Sequence, residues 1–130
     1  MNKSLLATAG NSKYVKVLAP GTVANLVCGF DILGLCLDEP NDIMEVTLLD
    51  EKKIIIQSAD GYSLPLDPAM NTAGAPLIEM INELDTPTGF EIIIHKKIKP
   101  GSGIGSSAAS AAGAVVAANH LLGNIFSKTD

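Results

Sequence analysis

Apolar and polar residues alternate over 14–19 (YVKVLA), with Val15 and Val17 two apart, and this pattern predicts a first strand. Pro20-Gly21 is expected to stop it. Residues 42–49 (DIMEVTLL) and 53–57 (KIIIQ) predict two more strands, joined through Asp50-Glu51-Lys52. Pro65, Asp67 and Pro68 mark 61–71 as loop. Over 75–84 (APLIEMINEL), Leu77, Ile78, Ile81 and Leu84 share one helical face, with Pro76 tolerated in the first turn. Thr86-Pro87-Thr88-Gly89 breaks this helix, and 90–98 (FEIIIHKKI) predicts a strand with His95 and Lys97 on one face.

The last element is a helix over 106–122, closed by Gly123. Alanine is its main constituent and the best helix former. Ser107, Ser110 and Gly113 keep its surface thin, so that it can approach a sheet closely. Strands come first and strand–loop–helix units follow. The expected fold is therefore α+β, a two-layer or split βαβ arrangement in one domain over 14–130. Residues 1–13 are expected to form a flexible extension.

Composition narrows the function. An apolar fraction of 47% and a charged fraction of 18% belong to an ordinary globular chain. Nine Lys and Arg stand against 14 Asp and Glu, a net charge of -5 that argues against a general nucleic-acid binder. A small anion stays compatible with this, because a few oriented amides outweigh a diffuse negative field locally. Cys28 and Cys36 fit neither a CxxC pair nor a zinc knuckle and are expected to be free, buried thiols in a reducing cytosol. The apolar run Leu5-Leu6-Ala7 is too short for a secretory signal. The stretch 111–118 falls far below the roughly 20 residues that span a bilayer. A cytoplasmic protein without membrane contact is expected.

The candidate chemistry lies in 99–109 (KPGSGIGSSAA), between the last strand and the last helix. Gly101, Gly103 and Gly105 leave several amides unobstructed by Cβ atoms. The first amides of a helix lack intrahelical partners and carry partial positive charge. Phosphate is a natural occupant. Hydroxyls of Ser106 and Ser107 have three uses: capping the helix, bonding phosphate oxygens or reaching a metal ion. The competing reading is that the glycines serve only close helix packing. No lysine follows Gly105, so this is not a Walker A loop, and the even glycine spacing is not the dinucleotide fingerprint.

The segment Gly103-Ile104-Gly105-Ser106-Ser107-Ala108 resembles the second signature of the GHMP kinases, P-x-x-x-G-L-G-S-S-A, with Ile for Leu. Ala19-Pro20-Gly21-Thr22-Val23-Ala24-Asn25-Leu26, followed by Gly29-Phe30-Asp31-Ile32-Leu33-Gly34, resembles the P-A-T-x-A-N-L-G-x-G-F-D-x-L-G stretch of the homoserine kinase branch. Departures occur at Gly21, at Val27-Cys28 in place of Gly-Pro, and at Lys99-Pro100, where the proline stands one place late.

The resemblance implies a ribosomal-protein-S5-like (S5 domain 2-like) α+β fold, the amino-terminal domain of these kinases. It implies ATP-dependent phosphorylation of L-homoserine on its side-chain hydroxyl, a step toward threonine. Lys99, Pro100, Gly101, Ser102, Gly103, Ile104, Gly105, Ser106, Ser107, Ala108 and Ala109 would then wrap the ATP phosphates. Ser107 would ligate Mg²⁺. Asp31 would face the substrate ammonium, Asn25 would hydrogen-bond nearby, and Asn71 would lie near adenine. Family members continue with an acidic Mg²⁺ ligand and a second domain, so the chain is expected to be an inactive fragment. Its docking face is expected to be apolar and to favour self-association or a homodimer.

Plainer readings remain beside these. Asp31 can serve as a turn residue, Asn25 can cap a local turn, and Asn71 can cap the helix region at 75–84. His95 and His120 are read as structural or solvent-facing. Two rival functions also remain, a GHMP kinase for an isoprenoid alcohol and a non-catalytic S5-like module for RNA or a partner. With three Phe, two Tyr and no Trp, the chain has little to stack on RNA bases.

Overall fold

The computed structural model describes residues 13–26, 28 and 32–130. Four strands, β1 (Tyr14–Val23), β2 (Leu35–Leu49), β3 (Ile54–Gly61) and β4 (Gly89–Lys96), form one sheet in the order β1-β2-β4-β3. β1 and β4 both run antiparallel to β2, whereas β3 runs parallel to β4. The parallel pair is bridged by helix α1 (Gly74–Asn82), and helix α2 (Ser106–Leu121) follows β4. This is the α+β, βαβ-containing layer fold that the pattern of elements predicts.

Strict alternation makes the two layers. Val15 and Val17 of β1, Met44 and Val46 of β2, Ile56 of β3, and Phe90, Ile92 and Ile94 of β4 are buried in one core. Leu77, Met80 and Ile81 of α1, with Ala114, Ala117 and Ala118 of α2, complete it. Of the four apolar residues expected on the α1 face, Leu77 and Ile81 are buried, whereas Ile78 and Leu84 are half-buried. Ser110 and Gly113 of α2 act as expected, whereas Ser107 faces away from the sheet and is exposed. A Cβ on Gly113 would lie 3.0 Å from Ala19 Cβ and 3.1 Å from Met44 Sδ, so the helix backbone rests almost directly on β1 and β2.

Three sequence expectations need correction. Pro20-Gly21 does not stop β1, which continues to Val23 through a register shift between Pro20 and Thr22. β1 is an edge strand, where a missing amide costs no ladder bond on the solvent side, and the irregularity absorbs the proline. β2 begins at Leu35 rather than near Asp42, and its first half pairs with the end of β1 through Thr22↔Cys36 and Val23↔Leu35. That half contains a cis Glu39–Pro40 bond. Cys28 and Cys36 are free, as expected, but exposed rather than buried, because both lie toward the far end of this ribbon.

Residues 1–12 of the expected extension lie outside the described residues, and Lys13 is anchored to the sheet. Its carbonyl accepts the Leu48 amide at 2.7 Å, and its ammonium meets Asp50 at 2.7 Å.

Candidate phosphate-binding site

The loop 99–105 leaves β4 and enters α2 through three glycines with positive φ, namely Gly101 (74°), Gly103 (79°) and Gly105 (72°). Ideal Cβ atoms at Gly101 and Gly103 would meet nothing within 4 Å, so their backbone faces open space. Gly105 is the left-handed N-cap of α2, and no side chain caps the helix. The first helical bond runs from Ala109 N to Gly105 O at 2.8 Å. The amides of Ser106, Ser107 and Ala108 therefore have no partner within the helix, which is the arrangement that receives an anion.

The two serines divide in role. Ser106 is buried, and its hydroxyl donates to the Ile98 carbonyl at 3.1 Å, closing the base of the loop. Ser107 is exposed in the first turn, free to face a ligand. Neither caps the helix. Lys99, Pro100, Ser102 and Ala108 are exposed, Ile104 is half-buried, and Ala109 packs with Ala19 and Ile98 in a small apolar cluster.

The two sequence motifs meet in space. Thr22 N donates to Ile104 O at 2.9 Å, and a Cβ on Gly105 would lie 2.4 Å from Thr22 Oγ1. The end of β1 thus lies against the loop. Asn25 is exposed just beyond it. Asp31 lies outside the described residues.

Asn71 approaches the loop from the other side. It is buried, its Oδ1 accepts the Ala73 amide at 2.8 Å, and its Nδ2 donates to the Pro65 carbonyl at 2.6 Å. Its own carbonyl accepts the Gly74 and Ala75 amides, both at 3.0 Å, so it organises the turn leading into α1, although the N-cap itself is Ala73 and no side chain caps that helix, contrary to the capping expectation. It also lines a cavity of about 200 Å³ beside the loop, together with Pro100, Ser106, Ser107, Ser110 and Lys96. Glycine backbone open to space, unpartnered helical amides and an adjoining cavity together make a site able to receive an anion.

Two residues beneath the loop were missed from the sequence. Lys96 and Asp42 form a buried ion pair. The Lys96 ammonium also donates to Ser106 O at 2.9 Å and to Ser110 Oγ at 2.8 Å. Asp42 Oδ1 accepts the Lys97 and Ile98 amides, both at 2.8 Å. A signal was present, since both residues fall in the buried phase of their strands, in step with Met44 and Val46 on β2 and with Ile92 and Ile94 on β4.

His95 was read as structural or solvent-facing. It is half-buried on the opposite sheet face and bridges two carboxylates, Glu45 Oε1 at 2.9 Å and Asp60 Oδ1 at 3.1 Å. Lys97 joins it there through Asp60 at 2.9 Å, so the expected shared face holds.

The chain is similar to known kinases. Residues 71–130 match the family described as "GHMP kinases N terminal domain". The chain is 43% identical to the homoserine kinase of Methanococcus vannielii over 120 residues, covering 91% of this chain and 40% of that protein. It is 41% identical to the homoserine kinase of Chlorobium phaeobacteroides over 130 residues, covering 91% and 41%. The crystal structure of homoserine kinase from Cytophaga hutchinsonii superposes with a TM-score of 0.83 at 41% identity, covering 96% of this chain and 40% of that one. The mevalonate kinase of Methanococcus jannaschii shares the fold, with a TM-score of 0.63 at 20% identity over 91% of this chain and 43% of that one.

Over residues 71–130 the chain matches the amino-terminal domain of GHMP kinases, and its fold is the one seen in the homoserine kinase structure on which it superposes. It spans about 40% of the length of the homoserine kinases it matches.

Proposed function

We propose that this chain supplies the nucleotide-binding half of an ATP-dependent kinase that phosphorylates L-homoserine to O-phospho-L-homoserine, toward threonine. The observation that carries this reading is the loop 101–107, with two glycines open to space ahead of the three unpartnered amides of Ser106, Ser107 and Ala108. Phosphoryl transfer depends on positioning and charge neutralisation more than on covalent participation by the protein. In this reading the loop amides hold the phosphates, the exposed Ser107 hydroxyl offers Mg²⁺ one ligand, and the cavity beside Asn71 receives the base. Asn25 and Asp31 take the acceptor, with Asp31 as the carboxylate for its ammonium. The meeting of Thr22 with Ile104 supports this division, because it brings the acceptor motif to the phosphate loop.

No helix among the described residues is long and apolar enough to cross a membrane. A cytoplasmic setting suits ATP as substrate. The groove of about 340 Å³ between β1 and α2, flanked by exposed Leu18 and Val116, is our candidate for the apolar docking face. Mg²⁺ in phosphate sites usually takes a carboxylate as well as hydroxyl, phosphate and water. The 130-residue chain alone is therefore expected to bind nucleotide without homoserine-dependent turnover.

The test is homoserine-dependent ADP release by a protein that extends this chain to the length of its relatives. Asp31→Asn should raise the KM for homoserine by at least about tenfold, the loss of one charge-assisted bond, and should spare the KM for ATP. ADP release indifferent to homoserine, or an unchanged KM in the variant, would contradict the assignment.

A further inference from the structure

We infer that the buried Asp42–Lys96 pair is a positioning device for the phosphate loop, fastening both ends of 99–105 so that the loop amides keep their anion-binding geometry. The inference rests on the reading of that loop given above and adds the residues that hold it.

The geometry is that of a staple. Asp42, on β2, receives the chain as it leaves β4, with Oδ1 accepting the amides of both Lys97 and Ile98 at 2.8 Å. Its other oxygen meets the Lys96 ammonium. That ammonium then reaches the far end of the loop through the Ser106 carbonyl at 2.9 Å and Ser110 Oγ at 2.8 Å. Ser106 Oγ closes the gap by donating to Ile98 O at 3.1 Å. Lysine has three protons, and all three are engaged, so Lys96 acts on a ligand only through the loop it holds.

Stability alone does not account for the pair. Both side chains are removed from water, with exposures of 5% for Lys96 and 0% for Asp42. Desolvation offsets most of the attraction in such pairs, and apolar replacements of similar volume are often neutral or stabilising. A cation under the first turn of α2 also opposes the helix dipole. What apolar side chains cannot supply is directed bonding to four named points on either side of a glycine loop: Lys97 N, Ile98 N, Ser106 O and Ser110 Oγ. Glycines 101, 103 and 105 give the loop little intrinsic stiffness, so its shape must be imposed from outside, by the Thr22–Ile104 bond and by the staple at its ends.

The test compares the 130-residue chain with two variants. Lys96→Met removes the cation at similar length. Combining it with Asp42→Asn avoids a buried unpaired carboxylate and keeps an acceptor for the Lys97 and Ile98 amides. Leu77→Ala, on α1, is the control that lowers global stability without touching the loop. Two readouts are taken, amide exchange in the ligand-free protein and the Kd for inorganic tripolyphosphate.

The expected result in the double variant is exchange at Thr22 and Ala109 about tenfold or more faster relative to Ile92 and Val46. Tripolyphosphate affinity should fall by about tenfold to a hundredfold, as expected for misplaced binding groups. Leu77→Ala should not raise the loop-to-sheet exchange ratio, since lower global stability acts first on the deeply protected sheet amides. An unchanged ratio and affinity in the folded double variant would overturn the inference. So would unfolding of both variants, which would make the pair a determinant of the whole fold. If the wild-type chain fails to bind tripolyphosphate, the phosphate reading falls, and the exchange ratio alone decides whether the pair fastens the loop.

Discussion

Gly105 and Thr22 are in such close contact that a single methyl group on the glycine would lie 2.4 Å from the threonine Oγ1. The adjoining backbones are joined by the 2.9 Å bond from Thr22 N to Ile104 O. Through this contact the edge strand fixes the start of α2. The glycine is required twice over, by its φ of 72° and by this approach.

Gly105→Ala should therefore destabilise the chain by more than the about 1–2 kcal/mol of left-handed backbone alone. Urea unfolding measures this. Adding Thr22→Ala should recover part of the loss by removing Oγ1. A midpoint equal to wild type in Gly105→Ala would show that the loop and β1 do not meet this closely.

The outer face of the sheet gives a pH dependence with a definite sign. The Tyr14 hydroxyl donates to Glu45 Oε2 at 2.7 Å, and this bond, followed by those from His95 and the nearby Lys16 charge, holds the Glu45 carboxyl below its usual range. Lys97, and after it His95, does the same for Asp60. The same bond to Glu45 raises the Tyr14 phenol. A carboxylate depressed in the folded state adds stability that is present above its unfolded value and lost as pH falls through its folded value. Stability should thus decline as the pH drops below about 4. Glu45→Gln and Asp60→Asn should each flatten this acid limb in denaturant titrations between neutral pH and pH 2–3. An unaltered acid limb in both would contradict the role given to this network.

The parts of the fold legible in the sequence were those set by short-range periodicity. The valines of β1, the isoleucines of β4 and the alanines of α2 announced their elements within a few residues. The first half of β2 did not, because Leu35 to Asn41 is largely exposed and is held by pairing with β1 rather than by a buried face of its own. Pro20 departs from its local expectation for a related reason. Whether a proline ends a strand depends on whether the strand lies at an edge, and that is a property of the sheet.

At the candidate site, the glycines and Ser107 were legible because their chemistry is local. The Asp42–Lys96 pair is 54 residues apart in sequence, and only the buried phase of each strand hinted at it. Asn71 was legible as a residue at the approach to α1, whereas its place beside the cavity next to the loop is set by the fold. The separation of buried Ser106 from exposed Ser107 required the helix to be placed on the sheet.

The central claim is that the loop 101–107 binds the phosphate chain of a nucleotide. The most direct measurement is the shift of the backbone amide signals of the wild-type chain during titration with ATP and Mg²⁺. The account requires saturable shifts concentrated at Gly101, Gly103, Gly105, Ser106 and Ser107, with smaller ones at Asn71 and Ser110 around the adjoining cavity. Those shifts should disappear in Gly103→Val, where a β-branched side chain cannot keep a φ of 79° without strain. If ATP leaves these amides unmoved while the sheet remains folded, the phosphate reading is wrong.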